Sequence, residues 1–117
     1  MSENNRIKSA EQRIKKFCND RDWSQFHDPK NLAISLQLEA SEVLELFQWT
    51  KNNEISDGME TELPDELADV LYWVLMLANH YDIDLLDAFD KKMDKNELKY
   101  PIEWKVPQIW HTPSELI

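Results

Sequence analysis

Apolar residues recur at spacings of three and four along most of this chain, the period of a helix and not the alternation of a strand. Ile7, Ala10, Ile14, Phe17 and Cys18 fall on one face, and their spacing predicts a first helix from Asn5 to Asp20. The loop RDWSQFHDP follows and closes on Asp28-Pro29. Asp28 is a good N-cap, and Pro29 at the first helical position has no N–H to leave unsatisfied. The second helix is expected from Pro29 to Asn52. A polar segment, NNEISDGMETEL, carries the turn signal Asp57-Gly58 and leads to a third helix that starts near Pro64 and reaches Tyr81. Asp84 is placed to cap a fourth helix, with Asp87 three residues later as in a capping box, and Tyr100-Pro101 ends it.

Helices joined by short loops pack as antiparallel neighbours, so the expected fold is all-α: a four-helix bundle forming a single domain over residues 1–117. Residues 102–117 form a tail with Trp104, Pro107, Trp110 and Pro113, expected to pack on the body or on a partner subunit. Between Leu67 and Ala78 the third helix is apolar on nearly every side, and such a helix needs cover all round. One small bundle can hardly supply that cover. Self-association to a homodimer or homotetramer is therefore expected.

Composition narrows the class. A single glycine, Gly58, in 117 residues argues against a strand-and-turn fold. The net charge of −10 disfavours binding to nucleic acid polymers or to an anionic membrane. Cys18, the one cysteine, has no partner for an internal disulfide and no cluster for zinc, and is expected as a buried or half-buried thiol. The polar start MSENNRIKSAEQ has no signal-peptide stretch, and the longest apolar run, Val70 to Ala78, is far below the roughly 20 residues of a membrane span. A cytoplasmic protein is the expectation.

Certain acids fall on the wrong faces. With Glu39 as zero and about 100° per residue, Leu46, Leu32, Val43, Leu36 and Phe47 occupy the arc from roughly −20° to +80°. Glu39 thus lies inside the apolar stripe, Glu42 about 60° away at its edge, and Glu45 a further 60° or so towards solvent. On the third helix Glu66 lies between Trp73, Leu77 and Val70, with Asp69 about 60° to one side. A lone ExxE is usually a solvated face. Two such pairs embedded in apolar arcs of successive helices are different, because buried carboxylates need partners. From Asn31 to Tyr81 the only Lys or Arg is Lys51. A divalent cation is the simplest compensation, and an all-oxygen shell suits magnesium or manganese over zinc or copper. A di-iron bundle would need Glu-x-x-His pairs, and the residues three before His27, His80 and His111 are Ser24, Leu77 and Gln108. Zinc-protease, P-loop and dinucleotide-binding motifs are absent.

The ExxE of Glu39 and Glu42, followed after a loop by the ExxD of Glu66 and Asp69, resembles the all-alpha NTP pyrophosphatase superfamily that includes MazG. The closer likeness is to its dCTP pyrophosphatase branch, and rests on Arg21 to Trp49, Asp65 to Ala78 and Lys91 to Pro101. The resemblance implies a magnesium-dependent enzyme that hydrolyses a nucleoside triphosphate, a dCTP-like deoxynucleotide, to monophosphate and pyrophosphate. It implies Glu39, Glu42, Glu66 and Asp69 as magnesium ligands, Glu42 or Glu45 as the acid that acts on water, and Glu45 alternatively as the holder of a second ion. It brings Trp23 and His27 to the nucleobase and sugar, makes Trp49 and Trp73 aromatic walls, and lets Lys92 and Asn96 reach the phosphates. The chain departs from the pattern at Glu97, Leu98 and Lys99, where relatives often carry basic residues. The residues by themselves leave other readings: Trp73 as core, His27 as a loop hydrogen-bond donor, or the whole chain as an antitoxin-like regulatory module. Within the superfamily, dUTP and phosphoribosyl-ATP are rival substrates.

Overall fold

The computed structural model describes residues 3–50 and 59–103. These form α1 (Glu3–Asp20), a short 3-10 turn (Ser24–Phe26), α2 (Pro29–Glu45), α3 (Met59–His80) and α4 (Leu85–Lys99), with no strand among them. The all-α expectation is met. The Asp57-Gly58 turn and the Trp-rich part of the tail lie outside the described residues. Among the described residues no helix is long and apolar enough to cross a membrane.

Local chemistry sets most boundaries. Asp28 caps α2 by accepting the Asn31 N–H at 2.8 Å, while Asn31 Nδ2 donates to Asp28 Oδ2 at 3.1 Å, and Pro29 opens the helix. α1 and α3 end alike, with Asp22 (φ 56°) and Asp82 (φ 54°) in the left-handed region. In each case the next residue donates back across the turn, Trp23 N to Cys18 O at 3.0 Å and Ile83 N to Ala78 O at 2.9 Å. The aspartate N–H groups bond Asn19 O and Asn79 O, completing a Schellman motif twice. Glycine is the usual residue at that position; aspartate is among the few others that tolerate it.

Two boundaries differ from expectation. α2 stops being α-helical at Glu45, and the chain winds on through Leu46, Phe47 and Gln48 by tighter bonds to residues three back. Thr50 then caps this stretch, its hydroxyl donating to Phe47 O at 3.0 Å. The predicted end at Asn52 lies outside the described residues. α3 starts at Met59 instead of near Pro64, so the proline lies inside the helix. Met59, only 2% exposed, anchors the added turn, and Glu60 and Glu62 complement the positive end of the helix dipole there.

The chain divides into two compact units, Met1–Leu85 and Leu86–Ile117. In the first, α3 packs along α2 and touches α1 over a shorter length. Leu32, Met59, Leu75, Ala78 and Cys18 are its buried apolar side chains among the described residues. Cys18 Sγ and Tyr72 Oη, 3.0 Å apart, tie α1 to α3 by a hydrogen bond. Burial first, and the Cys18 contact second, push the Tyr72 phenol well above its usual range. Leu67 and Leu71 of α3 and Leu38 and Leu44 of α2 remain exposed, so the all-round cover predicted for α3 is not met within this unit. The second unit holds nearly all of α4, where an exposed Lys91–Asp87 ion pair spans one turn at 2.8 Å.

Candidate functional site

Glu39 and Glu42 stand three apart on α2, and Glu66 and Asp69 three apart on α3, so each pair is adjacent on its helix. Because α2 and α3 pack along one another, the pairs meet: one oxygen from each of the four carboxylates lies within 4.8 Å of the other three. Glu39 and Glu66 are half-buried, Glu42 and Asp69 exposed, the order that the helical angles predict.

Glu39 Oε2 and Glu66 Oε2 are shut off from solvent without a hydrogen-bond partner. Such atoms are costly unless something satisfies them. Protons are one answer. A hydrogen bond with Glu42, then burial, then the charges of Glu42, Asp69 and Glu39 push the Glu66 carboxyl up to about 7. Glu39 is raised by burial first, then by its hydrogen bond with Glu42 and the charges of Glu42 and Asp69, while a hydrogen bond from Trp73 pulls it down. A cation is the other answer. Four clustered carboxylates with two orphaned oxygens present the donor set that a hard divalent ion takes.

Beside the acids lies a cleft of about 610 Å³, within the roughly 300–1,000 Å³ of small-molecule sites. Glu39 and Asp69 line it together with Phe17, Trp23, Tyr72 and Trp73, so the acid cluster borders an aromatic chamber. The aromatic rings meet edge to face, Phe17 with Trp23 at 5.4 Å and Tyr72 with Trp73 at 4.9 Å. His27, half-buried, meets Trp73 edge-on at 5.9 Å and lines a smaller cavity of about 180 Å³ with Cys18 and His80.

The remaining predicted residues are dispersed. Glu45, the last residue of α2, is exposed and outside the cluster of four. Trp49, 88% exposed, lies in the tighter turns beyond α2. Lys92 and Asn96 share one face of α4 in the second unit. Arg13, Phe17 and Tyr72 also line the cleft, and the sequence reading gave none of them a site role. For Arg13 a signal was present: a cation at three and four residues from Ala10 and Phe17, inside the apolar face of α1.

Comparison with known proteins adds the following. Residues 34–106 match the model of the MazG-like family. Mouse dCTP pyrophosphatase 1 is 40% identical over 91 residues, covering 74% of this chain and 54% of that protein. The human protein of the same name is 41% identical over 90 residues, covering 73% and 53%. The chain thus spans about half the length of these relatives. A crystal structure of a pyrophosphatase from Archaeoglobus fulgidus superposes with a TM-score of 0.72 at 39% identity, covering 77% of this chain and 87% of that one.

Proposed function

The chain belongs to the MazG-like family, and we propose that it is a magnesium-dependent nucleoside triphosphate pyrophosphatase acting on a dCTP-like deoxynucleotide. The observation that carries this reading is the meeting of Glu39, Glu42, Glu66 and Asp69 beside an aromatic cleft, with two of their oxygens buried and unpartnered. The names of its relatives, dCTP pyrophosphatases among them, support the choice of reaction and base.

Glu39, Glu42, Glu66 and Asp69 would hold the ion. Bound there, magnesium, with manganese as its substitute, supplies neutralisation of the triphosphate and Lewis-acid activation of water. Glu42 or Glu45 accepts the proton of a water that attacks the α-phosphorus. The bond to the β-phosphate breaks, pyrophosphate leaves, and a nucleoside monophosphate remains. Trp23 and Trp73 hold the base by stacking, which every base permits. Trp49 serves as a further aromatic wall and His27 supports Trp73 edge-on and reaches the sugar, while for Lys92 and Asn96 a phosphate-binding role is what the family resemblance implies.

The exposed leucines of α2 and α3 support self-association to a homodimer or homotetramer. A free nucleotide as substrate suits a cytoplasmic setting and the clearing of a nucleotide pool. The decisive assay offers a panel of dNTPs and NTPs with magnesium and scores pyrophosphate and monophosphate. Release of single phosphates, or turnover of none, would falsify this reading.

A further inference from the structure

Arg13 lines the aromatic cleft from α1, on the same helix face as Ala10, Ile14 and Phe17. Among the described residues that line the cleft it is the only Lys or Arg. The ion pairs among the described residues join Lys16 to Asp20 and Lys91 to Asp87, and Arg13 takes part in neither. Among the described residues no ion pair engages Arg13, so its five donors are open to something else in the cleft.

We propose that Arg13 is a specificity-determining residue that reads the base through a pair of adjacent acceptors. This rests on the reading of the cleft as the nucleotide site. With phosphates drawn to the acidic end at Glu39 and Asp69, the base lies among Phe17, Trp23, Tyr72 and Trp73, within the chamber that Arg13 also lines. Stacking on aromatic faces is indifferent to base identity. The guanidinium fork is not, because it donates two parallel hydrogen bonds and needs two acceptors side by side. Cytosine offers O2 and N3, and guanine O6 and N7. Thymine and uracil interpose an N3–H between their carbonyls, and adenine sets its amino group beside N1 and N7 and a C–H beside N3, so neither matches the fork. The substrate class is therefore a cytosine or guanine nucleotide.

The test uses the full chain with magnesium and compares kcat/KM on dCTP, dGTP, dTTP and dATP for wild type, Arg13→Ala and Arg13→Lys. Arg13 is exposed, so both variants should fold. The wild type should favour dCTP or dGTP over dTTP and dATP, the two favoured substrates distinguishing the acceptor pairs. Both variants should lose roughly ten- to a hundredfold on the favoured base, mainly through KM, and little on dTTP and dATP. Lysine keeps the charge without the fork, so it should not restore selectivity. An equal loss on all four substrates with rescue by lysine would make Arg13 a phosphate contact and overturn the proposal, as would unchanged selectivity in both variants. Monophosphate binding, followed by tryptophan fluorescence with dCMP, dGMP, dTMP and dAMP, separates the two readings. Selective binding that depends on Arg13 without any turnover would sink the pyrophosphatase assignment and uphold this one. Unselective binding would overturn this one whatever the turnover.

Discussion

Glu42 of α2 and Glu66 of α3 meet carboxyl to carboxyl, and their hydrogen bond is the largest cause of the rise of Glu66 from 4.5 to about 7. A shared hydrogen bond between two acids requires a proton, so the metal-free site holds one that the unfolded chain would release. The stability this contributes is fully present below about pH 4.5 and is lost as pH rises through about 7. Thermal melts in a chelator should therefore show a lower Tm at pH 8 than at pH 5. Magnesium should raise Tm far more at pH 8, where Glu66 has already lost its proton. Glu66→Gln should flatten the metal-free slope. A metal-free Tm indifferent to pH, together with no response to magnesium, would count against the site.

Neutralising a ligand should separate activity from stability. Glu39→Gln and Asp69→Asn remove charge from a repelling cluster while keeping shape, so the metal-free Tm should hold or rise. Turnover should fall by at least about a hundredfold, since even outer-shell partners of a metal cost 10–100-fold when removed. Circular dichroism would check the fold and pyrophosphate release the activity. A variant with near-normal magnesium-dependent activity would show that the cluster is not the metal centre.

Trp23 and Trp73 should respond differently to substitution. Trp23 is 44% exposed at the cleft and is not a helix neighbour of the four clustered acids, so Trp23→Ala should raise KM by roughly five- to a hundredfold with kcat nearly unchanged. Trp73 also hydrogen-bonds Glu39 and lowers its pKa. Trp73→Phe keeps a ring and loses the N–H, so Glu39 should hold its proton to higher pH and the loss of magnesium affinity relative to wild type should be larger at pH 6 than at pH 8. Magnesium titrations at those two pH values decide the matter; a loss of equal size at both would refute the role given to the N–H.

The two left-handed aspartates are sites of recoverable strain. Asp82→Gly should stabilise the fold by up to about 1 kcal/mol, the gain from an unhindered left-handed turn being partly offset by a more flexible unfolded chain. Asp82→Val should destabilise it, because a β-branched residue fits that conformation poorly. Urea unfolding would show the shift in midpoint at constant slope, and a glycine variant less stable than wild type would contradict the strain account.

Much of this was legible in the chain because helical arithmetic is local. The cap at Asp28, the end of α1 at Asp20 and the graded burial of the four acids all follow from spacing within one helix. What escaped depends on neighbours. Pro64 signalled a helix start, but burial of Met59 carried α3 one turn further back. No pattern within α2 announced the tightening after Glu45. Phe17 and Tyr72 looked like core because periodicity gives the face of a helix and not what that face meets, here an open cleft.

The orphaned oxygens of Glu39 and Glu66 lie where α2 meets α3, the most extensive helix pairing of the first unit. The seam that does most to organise this unit is thus also the one most strained by like charge. A divalent cation bound there would serve as mortar as much as reagent, so chelation at alkaline pH should loosen the fold from the acid cluster outward.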